Sequence, residues 1–222
     1  MSIDQVWQTP EAGVSRRQWL ALAAAVSCVG VTPTAHADVE LEGVRLDESV
    51  TAYGQKLVLN GAGVRRRGYH KSDVVALYLP EKRTTPDAIY RLDGVRRIQL
   101  NLLRNLSSST ITRVFLSDFK QVATDDEFKR LIEPLGMIGA AYADIKRVSK
   151  GDVVNLDWVP GQGWMATHNG RPLRSVDGNL TINDPLAYQV YLRMYIGQAA
   201  PEDLRNGLLG LTRLPKAANN SD

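Results

Sequence analysis

Apolar and polar residues largely alternate from Val39 to Leu46, which predicts a strand with one buried face. The same period of two predicts strands over Lys56–Gly68, Lys71–Leu79 and Val95–Leu103, with a short helix over Pro86–Leu92 between the last two. The period then changes. Ile111, Val114, Phe115, Leu116, Phe119 and Val122 recur at helical spacing, predicting a helix over Ser109–Val122. Thr124 and Glu127 form a capping-box pattern that opens another helix. Pro134 should interrupt that helix, because it has no amide hydrogen and clashes with the preceding turn. Helical spacing resumes to Ile145. Strands return in DVVNLDWVP (152–160) and GWMATHNG (163–170), where Asn169-Gly170 is a tight-turn signal. Asp184 caps a helix with Pro185 in its first turn, and Tyr188, Val190, Tyr191 and Met194 are its predicted inward residues. Pro201 opens a last short helix, and Lys216–Asp222 are expected to fray. Strands, helices, strands, helices give an α+β class with a largely antiparallel sheet.

The amino terminus stands apart from this pattern. Arg16-Arg17 precede an apolar run from Trp19 to Val31, and Ala35-His36-Ala37 follow. A charged start, a short apolar middle and a small-x-small end describe an export signal, and the paired arginines resemble a twin-arginine leader. The run falls short of the roughly 20 residues that span a bilayer. A retained anchor and a lipid-modified Cys28 are the alternatives, although Ala25 replaces the usual leucine of a lipoprotein site. Residues 1–37 are therefore expected to be a leader that engages the twin-arginine machinery, and 38–222 a single periplasmic domain without a stable membrane span. Cleavage removes Asp4, Glu11 and both arginines, so the net charge stays at +3. It also removes the only cysteine and leaves His70 and His168, which present no metal-ligand spacing, so neither a metal nor another cofactor is expected. A mild basic excess without a zinc-finger, helix-turn-helix or RNA-binding aromatic signature gives no reason to expect nucleic acid.

The densest chemistry lies in LNGAGVRRRGYHKSDVVALYLP, from Leu59 to Pro80. A phosphate loop needs free amides at a helix start, and Gly61-Ala62-Gly63 sits between strand-like segments without a Walker ending or a third glycine. A strand with a bulge, or one whose glycines allow a close backbone approach, fits better. Alternation puts Arg65 and Arg67 on one face and Arg66 on the other.

LNGAGVR…VVALYLP, LLRNLSSSTITRVFLSDF, VNLDWVPGQGW and YLRMYIGQAAPEDLRNGLLG resemble, in order and spacing, the exported bacterial branch of the chalcone isomerase family. The resemblance implies an open-faced β-sandwich, a large antiparallel sheet covered on one side by helices with a ligand cleft between. Plant members close a flavanone ring by adding a phenolate to an enone. Of their active-site groups the resemblance carries over only the arginine, at Arg65. Asp73 stands for a threonine, Leu102 and Val114 for lysines, Ile111 for the tyrosine, Asp118 for an asparagine and Met194 for a second threonine. The apolar replacements donate no hydrogen bond to an enolate, and the two aspartates oppose an anionic transition state.

No catalytic residue is therefore assigned, and the resemblance points to the family's non-catalytic fatty-acid binders. In those, the same arginine and a tyrosine at the Asp73 position hold the carboxylate. Two readings of Arg65 stand, as a ligand anchor or as the structural partner of Asp73, with Tyr69 or Tyr78 supplying the missing hydroxyl. Arg65, Asp73, Tyr69, Tyr78, Ile111 and Met194 are the candidate ligand contacts. Arg104 is expected to hold the strand-to-helix turn or to touch a ligand, Trp158 and Trp164 to pack the sheet, and His168 to be solvated. The leading expectation is an exported, non-catalytic protein that binds a fatty acid or similar amphipath. The alternatives are an isomerase or lyase that uses Arg65 as an electrostatic clamp, and an envelope scaffold with no small ligand.

Overall fold

The structure, a computed structural model, describes residues 39–145, 147–175 and 178–217. The expected leader, residues 1–37, lies outside them. A hairpin of β1 (Val39–Leu41) and β2 (Val44–Leu46) leads into β3 (Ser49–Ala52), β4 (Gln55–Arg67) and β5 (His70–Leu79). Helix α1 (Pro86–Tyr90) precedes β6 (Arg96–Leu102). After the short β7 (Leu106–Ser107) come α2 (Ser108–Val122), α3 (Asp125–Arg130) and α4 (Ile132–Ile145). The chain then runs through β8 (Arg147–Val148), β9 (Val153–Val159), β10 (Gly163–His168), β11 (Arg171–Pro172), β12 (Arg174–Ser175), β13 (Gly178–Asn179) and β14 (Thr181–Ile182). It closes with α5 (Pro185–Ile196) and α6 (Glu202–Leu208).

Eight strands form one antiparallel sheet in the order β11-β10-β9-β6-β5-β4-β3, with β14 also on β10. Alternation sorts its two faces. Val75, Leu77 and Leu79 of β5 and Ile98, Leu100 and Leu102 of β6 enter the main core with Phe115, Phe119, Leu135, Tyr188, Tyr191 and Leu204 from the helices. Val74, Ala76 and Tyr78 enter a smaller cluster on the opposite face, where Val39 and Leu46 of the first hairpin cover Leu57, Leu59 and Ala62. This is the α+β architecture with helices on one face of a large antiparallel sheet. Among the described residues, no helix is long and apolar enough to cross a membrane.

Local signals act where the sequence places them. Thr124 Oγ1 accepts from the Glu127 amide and Glu127 Oε2 accepts from the Thr124 amide, which completes the capping box of α3. Asp184 Oδ1 accepts from the Leu186 amide at the start of α5. Pro134 lies in the first turn of α4, and the break falls one turn earlier, at Leu131, because the proline ring excludes a helical carbonyl four residues back. The predicted strand Val39–Leu46 is in fact two strands. Glu42 and Gly43, both at positive φ, turn the chain where the alternation changes phase, from Val39 and Leu41 to Val44 and Leu46. Tyr53 and Gly54 make the same turn between β3, which the pattern did not predict, and β4. Lys216, expected to open a frayed tail, bridges Val39.

Candidate ligand cavity

One extra residue aims Arg65. Leu57 and Leu59 point to the smaller core, and so do Ala62 and Val64, so the parity of β4 switches between them. The switch is at Asn60, where the register with β5 jumps from Leu59↔Tyr78 to Gly61↔Leu77. Asn60 is locked in place: its Nδ2 donates to Leu208 O at 2.7 Å and its Oδ1 accepts from the Arg83 amide at 2.7 Å. Beyond this bulge Gly61, Gly63, Arg65 and Arg67 face the helices. The glycines let α6 lie directly on β4, since a Cβ on Gly61 would stand 2.0 Å from Gly207 O. The second irregularity, at Ser72, belongs to β5, so Arg65 and Arg67 keep the shared face that alternation predicts.

Arg65 and Asp73 pair directly across β4 and β5. Arg65 Nε donates to Asp73 Oδ1 at 3.0 Å, and one terminal nitrogen lies 3.0 Å from the same oxygen. The other terminal nitrogen donates to the Tyr195 hydroxyl at 3.1 Å, and the guanidinium carbon lies 5.3 Å from the Tyr195 ring centroid. Tyr191 donates in turn to Tyr195 at 3.1 Å. Asp73 is 0% exposed and the Arg65 side chain 16%. Burial opposes the charge on Arg65, but Asp73 and then Tyr195 outweigh it and hold the guanidinium above its ordinary pKa. Burial also raises Tyr195, Tyr191 and Tyr142, with Arg65 pulling the other way in each, so all three remain neutral hydroxyls.

These groups form one end of a cavity of about 460 Å³ between the sheet and α2, α4 and α5. Its walls are mainly apolar, with Leu100, Leu102, Ile111, Val114, Phe115 and Met194 among them. Of the lining residues, Arg67, His70 and Arg113 are exposed and mark the opening, and Arg104 is half-buried. Arg65, Ile111 and Met194 thus line one cavity, and Asp73 lies behind Arg65. Tyr69 and Tyr78 do not take part. Tyr69 is fully exposed at the β4–β5 turn. Tyr78 is buried on the opposite face of the sheet, where it donates to Asp47 O at 3.1 Å, because an even position on β5 points away from Asp73. The hydroxyls sought from them come instead from Tyr195, Tyr191 and Tyr142. Tyr195 stands four residues after Tyr191 and seven after Tyr188, a spacing that marks one helix face and would have found it.

The replaced plant positions are informative as a set. Leu102, Ile111, Val114 and Met194 all line the cavity, while Asp118 forms an ion pair with Arg67 at its edge. Arg104 makes no hydrogen bond to the turn it was expected to hold. The Trp164 ring centroid lies 4.7 Å from that of Tyr191 in the core, and half-buried Trp158 lies 5.9 Å from Tyr188 at its edge. His168 pairs with Asp152 at 2.8 Å beside the Asn169-Gly170 turn.

The family model described as chalcone isomerase-like matches residues 38–210. No curated protein matches the chain. Among solved structures it is similar to a fatty-acid binding protein of Arabidopsis thaliana. The TM-score is 0.61 at 14% identity, covering 78% of this chain and 96% of that one. At that identity the likeness establishes the fold.

Proposed function

This chain belongs to the chalcone isomerase-like family, and from that premise we propose that it is a non-catalytic binding protein whose cavity takes up an amphipathic molecule of fatty-acid type. The observation that carries this reading is the lining itself. The four positions to which the resemblance assigns the plant lysines, tyrosine and late threonine surround the cavity and are all apolar. They offer an acyl chain a wall and an enolate nothing. The fatty-acid binding of the Arabidopsis neighbour supports the same reading. The alternative, an isomerase or lyase clamped by Arg65, is disfavoured because Asp73 already neutralises that arginine.

The test is a titration with saturated carboxylates of increasing length. Each added methylene should tighten binding about fourfold, the worth of ~0.8 kcal/mol per buried CH₂, until the cavity is full. Val114→Trp, which fills the cavity from α2, should abolish binding. Chalcone cyclisation should not exceed the buffer rate. Absence of binding at every length, or a chalcone turnover that vanishes in Arg65→Ala, would refute the proposal. The proposal extends to export: residues 1–37 act as a twin-arginine leader, cleaved after Ala37, that delivers the protein to the periplasm.

A further inference from the structure

We infer that the ligand carries a phosphate-type dianion on a single apolar chain, and that Arg104 and Arg113 grip that dianion at the cavity mouth. This rests on the amphipath-binding reading above and names the headgroup that reading leaves open. The argument begins with charge. Among the described residues the lining contains four arginines, Arg65, Arg67, Arg104 and Arg113, and no aspartate or glutamate. Two of the four are already neutralised, Arg65 by Asp73 and Arg67 by Asp118. Arg104 and Arg113 have neither an ion-pair nor a hydrogen-bond partner among the described residues. The uncompensated positive charge therefore lies at the mouth and not beside Asp73.

Arg104 is half-buried as a residue and, like Arg113, has no anion beside it among the described residues. A carboxylate would neutralise one of the two cations. A phosphate monoester carries about −1.5 to −2 charges at pH 7 and three acceptor oxygens, which matches two guanidinium forks. From α2, Ile111, Val114 and Phe115 line the same cavity as Arg113, which is exposed while Phe115 is buried, so a headgroup held by Arg113 leaves the apolar side chains to its chain.

The experiment titrates the protein with dodecyl phosphate, dodecanoate and inorganic phosphate at pH 7.5. Dodecyl phosphate should bind at least ~10-fold more tightly than dodecanoate at pH 7.5, the scale of one additional charge-assisted hydrogen bond. Arg104→Gln and Arg113→Gln should each weaken dodecyl phosphate by about 10-fold or more and dodecanoate by less, with urea midpoints confirming that the variants fold. Dodecanoate binding as tightly as dodecyl phosphate, with both variants indifferent, would overturn the inference and leave the binding function standing. Inorganic phosphate binding as well as dodecyl phosphate would overturn it too, since the chain would then contribute nothing. If neither amphipath binds, the proposed function itself falls, and the inference with it.

Discussion

Removing Arg65 should damage the protein more than removing Asp73, and removing both should damage it least. Asp73 is 0% exposed, one of its oxygens receives two nitrogens of Arg65, and Oδ2 has no hydrogen-bond partner among the described residues. Arg65→Met leaves that carboxylate buried without a counter-charge, which costs roughly 3–5 kcal/mol. Asp73→Leu is milder, about 1–3 kcal/mol, because Arg65 keeps its Tyr195 hydrogen bond and some access to the cavity. The double variant exchanges a buried ion pair for two apolar side chains, a change that is commonly neutral or stabilising. It should recover most of what either single change loses. Urea unfolding reads this directly. With a slope of about 2 kcal/mol/M, Arg65→Met should lower the midpoint by roughly 1.5–2.5 M and the double variant by well under 1 M. The reasoning fails if the double variant loses the sum of the single losses, or if Arg65→Met stays within about 0.5 kcal/mol of wild type as an ordinary surface change does.

Two glycines should respond in opposite ways. Gly61→Ala must push α6 off β4 and should cost about 3 kcal/mol, whereas Gly136→Ala, with open space around it in α4, should be neutral or stabilise by up to ~1 kcal/mol in thermal unfolding. Glu127 accepts from both terminal nitrogens of Arg193 at 2.8 and 3.0 Å, and these hydrogen bonds, opposed by burial and aided by the Thr124 amide, hold its carboxyl below its ordinary 4.5. A depressed carboxylate stabilises fully above the unfolded value and loses that contribution as pH falls through the folded one. Glu127→Gln should therefore cost about 1 kcal/mol at neutral pH, while its denaturation midpoint converges with that of wild type in strong acid. Amino-terminal sequencing of the exported protein should begin at Asp38, and Arg16→Lys with Arg17→Lys should strand the precursor in the cytoplasm; unchanged export of that variant would remove the twin-arginine reading.

Most of the long elements were legible in local patterns. Alternation gave β4 and β5 to within a residue at each end, and helical spacing, Thr124, Asp184 and Pro134 placed the helices and their ends, because those preferences act within about four residues. The hairpin turns at Glu42-Gly43 and Tyr53-Gly54 escaped it, since neither first residue advertises positive φ. Arg65 stood out through the resemblance, yet its direction was not a local matter. Alternation showed that Arg65 and Arg67 share a face, and only the bulge at Asn60, held by Leu208 and Arg83 from distant parts of the chain, turned that face toward the helices. The same holds for the hydroxyl on Arg65. Tyr69 and Tyr78 are near in sequence and point elsewhere, while Tyr195, 130 residues away, meets it. A strand pattern fixes which residues share a side. What that side faces depends on the packing of β4 against α5 and α6, which no stretch of the chain encodes alone.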